Sequence, residues 1–138
     1  MTNGETAGSM QYAIGSPEGK YNWVKSIPDY MQYFSSDQKL IIELIGIDNY
    51  LILHDSFSAA GTVYFSTNPN PDQLKVKELI GEGNYIKMLT QFSNSEMYFN
   101  SIIALKKAWV KSHRHINYKD AARTVGVRLM TIYRWRNE

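Results

Sequence analysis

Apolar residues along this chain recur first at helical spacing. Leu40, Ile41, Leu44 and Ile45 form two adjacent pairs four residues apart and stop at Gly46, which predicts an amphipathic helix closed by a glycine cap. Asp48 then reads as the cap of a second helix, on which Tyr50, Leu53, His54 and Phe57 fall at i, i+3, i+4 and i+7 and make one apolar face. Ser58 to Gly61 breaks that helix. Thr62-Val-Tyr-Phe-Ser66 is β-branched and aromatic and predicts a short strand, and Pro69 and Pro71 punctuate the chain after it.

The same unit then occurs again. Glu43-Leu-Ile-Gly46 matches Glu78-Leu-Ile-Gly81, Asn49-Tyr50 matches Asn84-Tyr85, Phe57-Ser58 matches Phe92-Ser93, and Tyr64-Phe65 matches Tyr98-Phe99. Tyr85, Met88, Leu89 and Phe92 reproduce the apolar face of the first copy. An internal repeat of roughly 35 residues implies one helix-helix-strand unit used twice around a common core. Strands this short do not stand alone, so they should pair with each other or with those of a second chain.

Beyond the second strand, Ser101 to Ser112 predicts a linking helix with Ile102, Leu105, Lys106 and Trp109 along one side. After His113 to Ile116, Asn117 with Asp120 three residues later resembles a helix N-cap with an acidic first turn. Ala121 and Ala122 permit close helix approach, Gly126 supplies a positive-φ turn, and Val125, Val127, Ile132 and Trp135 take the buried positions. That spacing predicts a helix-turn-helix whose second helix enters the major groove of DNA. With Ile132 and Trp135 turned inward, Leu129, Met130, Tyr133, Arg134 and Asn137 are left as the candidates for base contact.

Charge supports the same reading. The 138 residues carry 15 Lys or Arg against 13 Asp or Glu, a net charge of +2. That balance is uneven: residues 106–138 sum to +7 and residues 1–105 to −5. Cations gathered at one end suit a polyanion partner, because neutralising phosphates releases condensed counterions. Lys106, Lys107, Lys111, Arg114, Lys119, Arg123, Arg128 and Arg136 are the candidates for phosphate contact.

Other chemistries are poorly served. Without cysteine there is no thiolate metal site, disulfide or cysteine nucleophile, and no apolar run has the length needed to span a bilayer, which favours a cytoplasmic protein with no membrane partner. His113 and His115 would diverge on a helix and have no carboxylates to complete a metal site. Gly81-Glu-Gly83 lacks the third glycine of a dinucleotide fingerprint, and His54 reads as a core histidine. No catalytic residue, cofactor or metal is expected.

The order of parts, namely repeated helix-"ELIG"-helix-"VYF" units before Ala121 to Trp135, resembles the Mor transcription activator family over about Ile27 to Asn137. The sequence departs from that family's pattern at Ala60-Gly61 and Asn94-Ser95, where a Gly-Gly precedes each strand, and at Ser66 and Asn100, where a proline comes after it. The resemblance implies a homodimer assembled through the helices and strands, binding an imperfect palindrome in double-stranded DNA and activating bacterial RNA polymerase. The expected architecture is thus α+β and mainly α. Residues 1–36 are a flexible or loosely docked arm, 37–100 a dimerisation region of two helix-helix-strand repeats, and 101–138 a helix-turn-helix domain. A DNA-binding accessory factor for recombination or packaging, without activating function, and a protein-interaction module are the alternatives.

Overall fold

The computed structural model describes residues 20–138, which are mainly helical with one small antiparallel sheet. They divide into two compact units: residues 34–101, and residues 20–33 together with 102–138.

In the first unit, α2 (Ser36–Ile45) and α3 (Ile47–Phe57) lead into β1 (Thr62–Phe65), and α4 (Pro71–Ile80) and α5 (Glu82–Phe92) lead into β2 (Ser95–Tyr98). Each leading helix starts with a capping box. The Ser35 hydroxyl accepts from the Gln38 backbone N–H at 3.2 Å while the Gln38 side chain accepts from the Ser35 N–H at 2.8 Å. Asn70 and Gln73 exchange the same two bonds at 2.9 and 3.1 Å. Each helix pair is joined by a single glycine at φ +87 or +88°, Gly46 or Gly81, and an asparagine three residues later ties back to the preceding helix: Asn49 Nδ2 donates to the Ile45 carbonyl and Asn84 Nδ2 to the Ile80 carbonyl, both at 2.9 Å. Asp48 therefore sits in the first turn of α3, and the residue at its cap is Gly46.

The apolar face predicted for α3 is buried throughout at Tyr50, Leu53, His54 and Phe57. On α5, Tyr85 and Met88 are buried and Leu89 and Phe92 half-buried. On α2 the buried stripe is Gln38, Ile41, Ile42 and Ile45, so Leu40, expected in the core, stands one position off the stripe and is exposed. The two buried glutamines are matched in role. Gln38 Nε2 donates to the Tyr50 hydroxyl at 2.8 Å and Gln73 Nε2 to the Tyr85 hydroxyl at 3.3 Å, which keeps polar groups in the core partnered.

The strands pair with each other. Thr62 faces Tyr98, Val63 faces Met97, Tyr64 faces Glu96 and Phe65 faces Ser95. Alternation turns Val63, Phe65, Met97 and Phe99 inward and leaves Tyr64 and Tyr98 exposed.

Burial pushes the Tyr50 phenol up to about 12, against a smaller lowering by the Gln38 hydrogen bond. A raised acid pKa means that the folded state favours the neutral phenol. The contribution is complete below the unfolded value of 10.0 and is lost as pH rises from there towards about 12. Two units correspond to about 2–3 kcal/mol at most. Urea unfolding at pH 9 and pH 11.5 should show the chain losing more stability than its Tyr50→Phe variant; equal losses would mean that the Tyr50 phenol is not selectively held neutral.

In the second unit, α1 (Asn22–Lys25) and the 3₁₀ turn Tyr30–Tyr33 pack on α6 (Ile103–Ser112), and α6 and α7 (Tyr118–Val125) both pack on α8 (Leu129–Arg136). Trp23, Val24 and Ile27 are buried, and the Trp109 indole Nε1 donates to Ser26 Oγ at 3.1 Å. Trp23, Val24 and Ile27 of the segment expected to be an arm are thus built into a core, because an indole and two branched side chains at helical spacing need a surface to cover them. Phe34 and the Ser35 cap belong to the other unit, and residues 1–19 of the expected arm lie outside the described residues.

Candidate nucleic-acid interface

Asn117 begins the candidate site. Its side chain accepts from the Asp120 backbone N–H at 2.8 Å, which starts α7, and Asp120 in turn pairs with Arg123 at 2.9 Å on the exposed side of that helix. Ala121, Ala122 and Val125 are buried, so the small side chains let α7 approach α8 closely. Gly126 ends α7 at φ +70° and ψ +48°, with its N–H and that of Val127 both donating to the Ala122 carbonyl, at 2.9 and 3.1 Å. The chain then turns through Val127 and Arg128 and re-enters a helix at Leu129. The positive φ expected at this glycine is present, and an added Cβ there would meet no atom within 4 Å. Any cost of a side chain is therefore backbone strain and not crowding.

Gly126→Val places a β-branched residue in the left-handed region, which should cost about 1–3 kcal/mol. Gly126→Asn should cost distinctly less, since asparagine tolerates that region. Thermal unfolding followed by tryptophan fluorescence checks both, because Trp23, Trp109 and Trp135 all belong to this unit. Equal losses for the two variants would remove the conformational explanation.

Helix α8 has a sharply divided surface. Ile132 and Trp135 are buried, as expected. Met130, Tyr133 and Arg134 are exposed and fall at i, i+3 and i+4, so three of the five base-contact candidates share one outward face, and Asn137 is exposed at the C-cap; Met130 is 72% exposed. Leu129 is half-buried at the start of the helix. Tyr133 is braced by the edge of the Tyr118 ring, centroids 4.3 Å apart at 69°, and keeps its outer side open. Arg128, at the N-cap, contributes no side-chain cap and is exposed.

The phosphate-contact candidates separate into groups. Lys119 and Arg128 are exposed and, among the described residues, stand in no ion pair, as does Arg134. Arg123 is held by Asp120. Lys107 and Lys111 converge on Glu138, at 2.5 and 3.4 Å, and the Lys107 hydrogen bond holds the Glu138 carboxyl below its usual range. Such exposed pairs yield readily to a competing anion. Arg114 is exposed as a residue but spends one guanidinium N–H on the Arg136 carbonyl at 3.0 Å, at the end of α8, and Lys106 is half-buried.

Arg136 departs from expectation. It is 6% exposed, and its guanidinium donates to the Ile116 carbonyl at 2.7 Å and the His113 carbonyl at 2.8 Å while lying over the Tyr118 ring, 5.0 Å from the centroid. These contacts tie the loop before α7 to the end of α8. Arg136 is therefore a structural residue and not a phosphate ligand. Its signal lay in the spacing, since Ile132, Trp135 and Arg136 share the inward i, i+3, i+4 face. The capping glutamines Gln38 and Gln73 carry a signal of the same kind, since Ser35-x-x-Gln38 and Asn70-x-x-Gln73 stand before apolar runs.

No group of three or more His, Cys, Asp or Glu residues among those described is placed to hold a metal ion, and no helix among them is long and apolar enough to cross a membrane. Comparison with protein-family models, with curated proteins and with solved structures finds no match to this chain.

Proposed function

We propose that this chain is a sequence-specific, double-stranded DNA-binding transcription regulator that places α8 in the major groove. The observation that carries the reading is the outward face of α8: Met130, Tyr133 and Arg134 project from a helix held by a tight Gly126 turn, with Asn137 exposed at its C-cap, in a segment whose net charge is +7. Side chains on such a face have complementary chemistry to base edges. Arg134 can bridge guanine O6 and N7, Asn137 can pair with adenine, and Met130 can cover a thymine methyl. Arg128 at the N-cap of α8 and the exposed Lys119, next to the Tyr118 that packs on Tyr133, supply further cations, and Lys107 and Lys111 can exchange Glu138 for a phosphate.

The resemblance to the Mor activators extends the proposal to recruitment of bacterial RNA polymerase by a phage or prophage regulator. Selection of duplexes from a random library, with transcription in vitro from a template carrying the selected sequence, tests both levels. Specific binding with increased transcript supports an activator. Specific binding with unchanged transcript leaves an accessory factor for recombination or packaging, and no enrichment removes the DNA-binding reading.

Reading and holding are separable by mutation. Arg134→Ala should weaken the selected duplex by about 1–3 kcal/mol and relax the preference at one base position. Lys119→Ala should weaken selected and scrambled duplexes alike and reduce the salt slope by about one contact. Titrations at several salt concentrations measure both. If Arg134→Ala weakens both duplexes equally, Arg134 touches only the backbone.

A further inference from the structure

The two helix-helix-strand segments of residues 34–101 are related as the two subunits of an isologous dimer are. In such an interface, element i of one copy touches element j of the other and the reverse contact is also made. Here α2 packs on α5 and α3 packs on α4, so the first helix of each copy covers the second helix of the other. The strand ladder obeys the same rule. Val63 opposes Met97, its own counterpart, which marks the position of a pseudo-dyad; Thr62 opposite Tyr98 and Tyr64 opposite Glu96 exchange across it.

The aromatic core is reciprocal residue by residue. Phe99, directly after the second strand, stacks on Tyr50 and Phe57 of the first copy, with centroids 6.1 Å away in both cases. Phe65 from the first strand lies against Tyr85 and Phe92 of the second copy, at 6.5 and 6.2 Å. The capping glutamines cross over in the same sense. Gln73 of the second copy donates to the Ser66 carbonyl after β1 at 3.1 Å, and Gln38 of the first donates to the Asn100 carbonyl after β2 at 3.5 Å.

We infer that residues 34–101 are a dimer interface closed within a single chain, so that the protein is a monomer and reads one asymmetric DNA half-site in place of a palindrome. The surfaces that two copies would use to find each other are already consumed. The link is short: residues 66–70 join β1 to α4, and Asn70 Nδ2 ties that link back to the Tyr64 carbonyl at 2.9 Å. Only the second copy leads into the α6-α7-α8 segment; the first runs directly into α4. Among the described residues there are therefore two copies of the base and one copy of the candidate reading helix. The half-site part of the inference rests on the DNA-binding reading proposed above, and the closed interface does not.

Cross-linking of the full chain distinguishes closure in cis from an exchange of the same segments between chains. The protein has no cysteine, so Tyr64→Cys with Glu96→Cys introduces a single pair at facing, exposed strand positions. After mild oxidation, non-reducing denaturing electrophoresis should show the 15.9 kDa species, with dimer below a tenth of the total, and sedimentation of the unmodified chain should give the same mass at all micromolar concentrations. A disulfide-linked dimer as the main product, or a sedimenting dimer, overturns the inference. On the DNA side, duplexes selected from a random library should lack inverted symmetry and bind one chain each. Selected inverted repeats binding two chains overturn the half-site claim while sparing the DNA-binding reading. A monomer that selects no sequence overturns the DNA-binding reading, and the half-site with it, while the closed interface stands.

Discussion

Phe65→Ala should destabilise residues 34–101 by about 3–5 kcal/mol, the range found when a buried phenylalanine is truncated and its site collapses only partly. Phe65 has no exposed surface, lies against Tyr85 and Phe92, and sits on a four-residue strand whose pairing alone cannot hold it. Phe99→Ala should cost a similar amount, because Phe99 makes the reciprocal contacts with Tyr50 and Phe57. Tyr64→Ala, on the exposed side of the same strand, should stay within about 1 kcal/mol. Amide hydrogen exchange resolves the site of the change. Protection should fall in residues 34–101 for both phenylalanine variants and hardly at all for Tyr64→Ala. If Tyr64→Ala were as damaging as Phe65→Ala, the inward and outward faces of the sheet would be misassigned.

That pair of phenylalanines also marks what could be read from the chain alone. The face of α3 was legible because apolar residues at i, i+3, i+4 and i+7 have one physical solution, an amphipathic helix with that side buried, and on α8 Ile132 and Trp135 at i and i+3 marked the inward side. Gly126 was legible because a glycine between two valines, after two alanines, has few other uses than a positive-φ turn. Whether Phe65 and Phe99 meet their aromatic partners within one chain or between two was not legible, since the contact chemistry is identical in both cases. Leu40 was misplaced because its neighbours Ile41 and Ile42 are equally apolar; the buried stripe is set by a polar residue, Gln38, whose burial depends on Tyr50 twelve residues later. The docking of Trp23, Val24 and Ile27 was hidden by the polar composition around them. At the candidate interface, the outward set on α8 came directly from periodicity. The fate of each cation did not, because it depends on where carboxylates and carbonyls from other segments arrive.

Arg136 is the sharpest case, and its replacement should separate stability from recognition. Arg136→Ala removes two charged hydrogen bonds, to the Ile116 and His113 carbonyls, and the contact over Tyr118. Hydrogen bonds to charged groups contribute about 1.5–3 kcal/mol each, so a loss of about 3–6 kcal/mol is expected for the two. Arg136→Lys should restore little of it, because one ammonium on a flexible stem does not reproduce a planar fork that meets two carbonyls while stacked on a ring. The Nε hydrogen of Arg136 is buried without a partner, so the net loss should fall towards the lower end of that range. Arg134→Ala, two residues away and exposed, should leave stability within about 0.5 kcal/mol. Tryptophan fluorescence during urea unfolding measures all three variants, since Trp135 adjoins the site and Trp109 packs in the same core. DNA titration well below each variant's unfolding midpoint then completes the comparison. Folded Arg136→Lys should keep its base preference, because the side chain faces inward. Full stability of Arg136→Ala combined with a reduced salt slope on DNA would instead return Arg136 to the phosphate-contacting set.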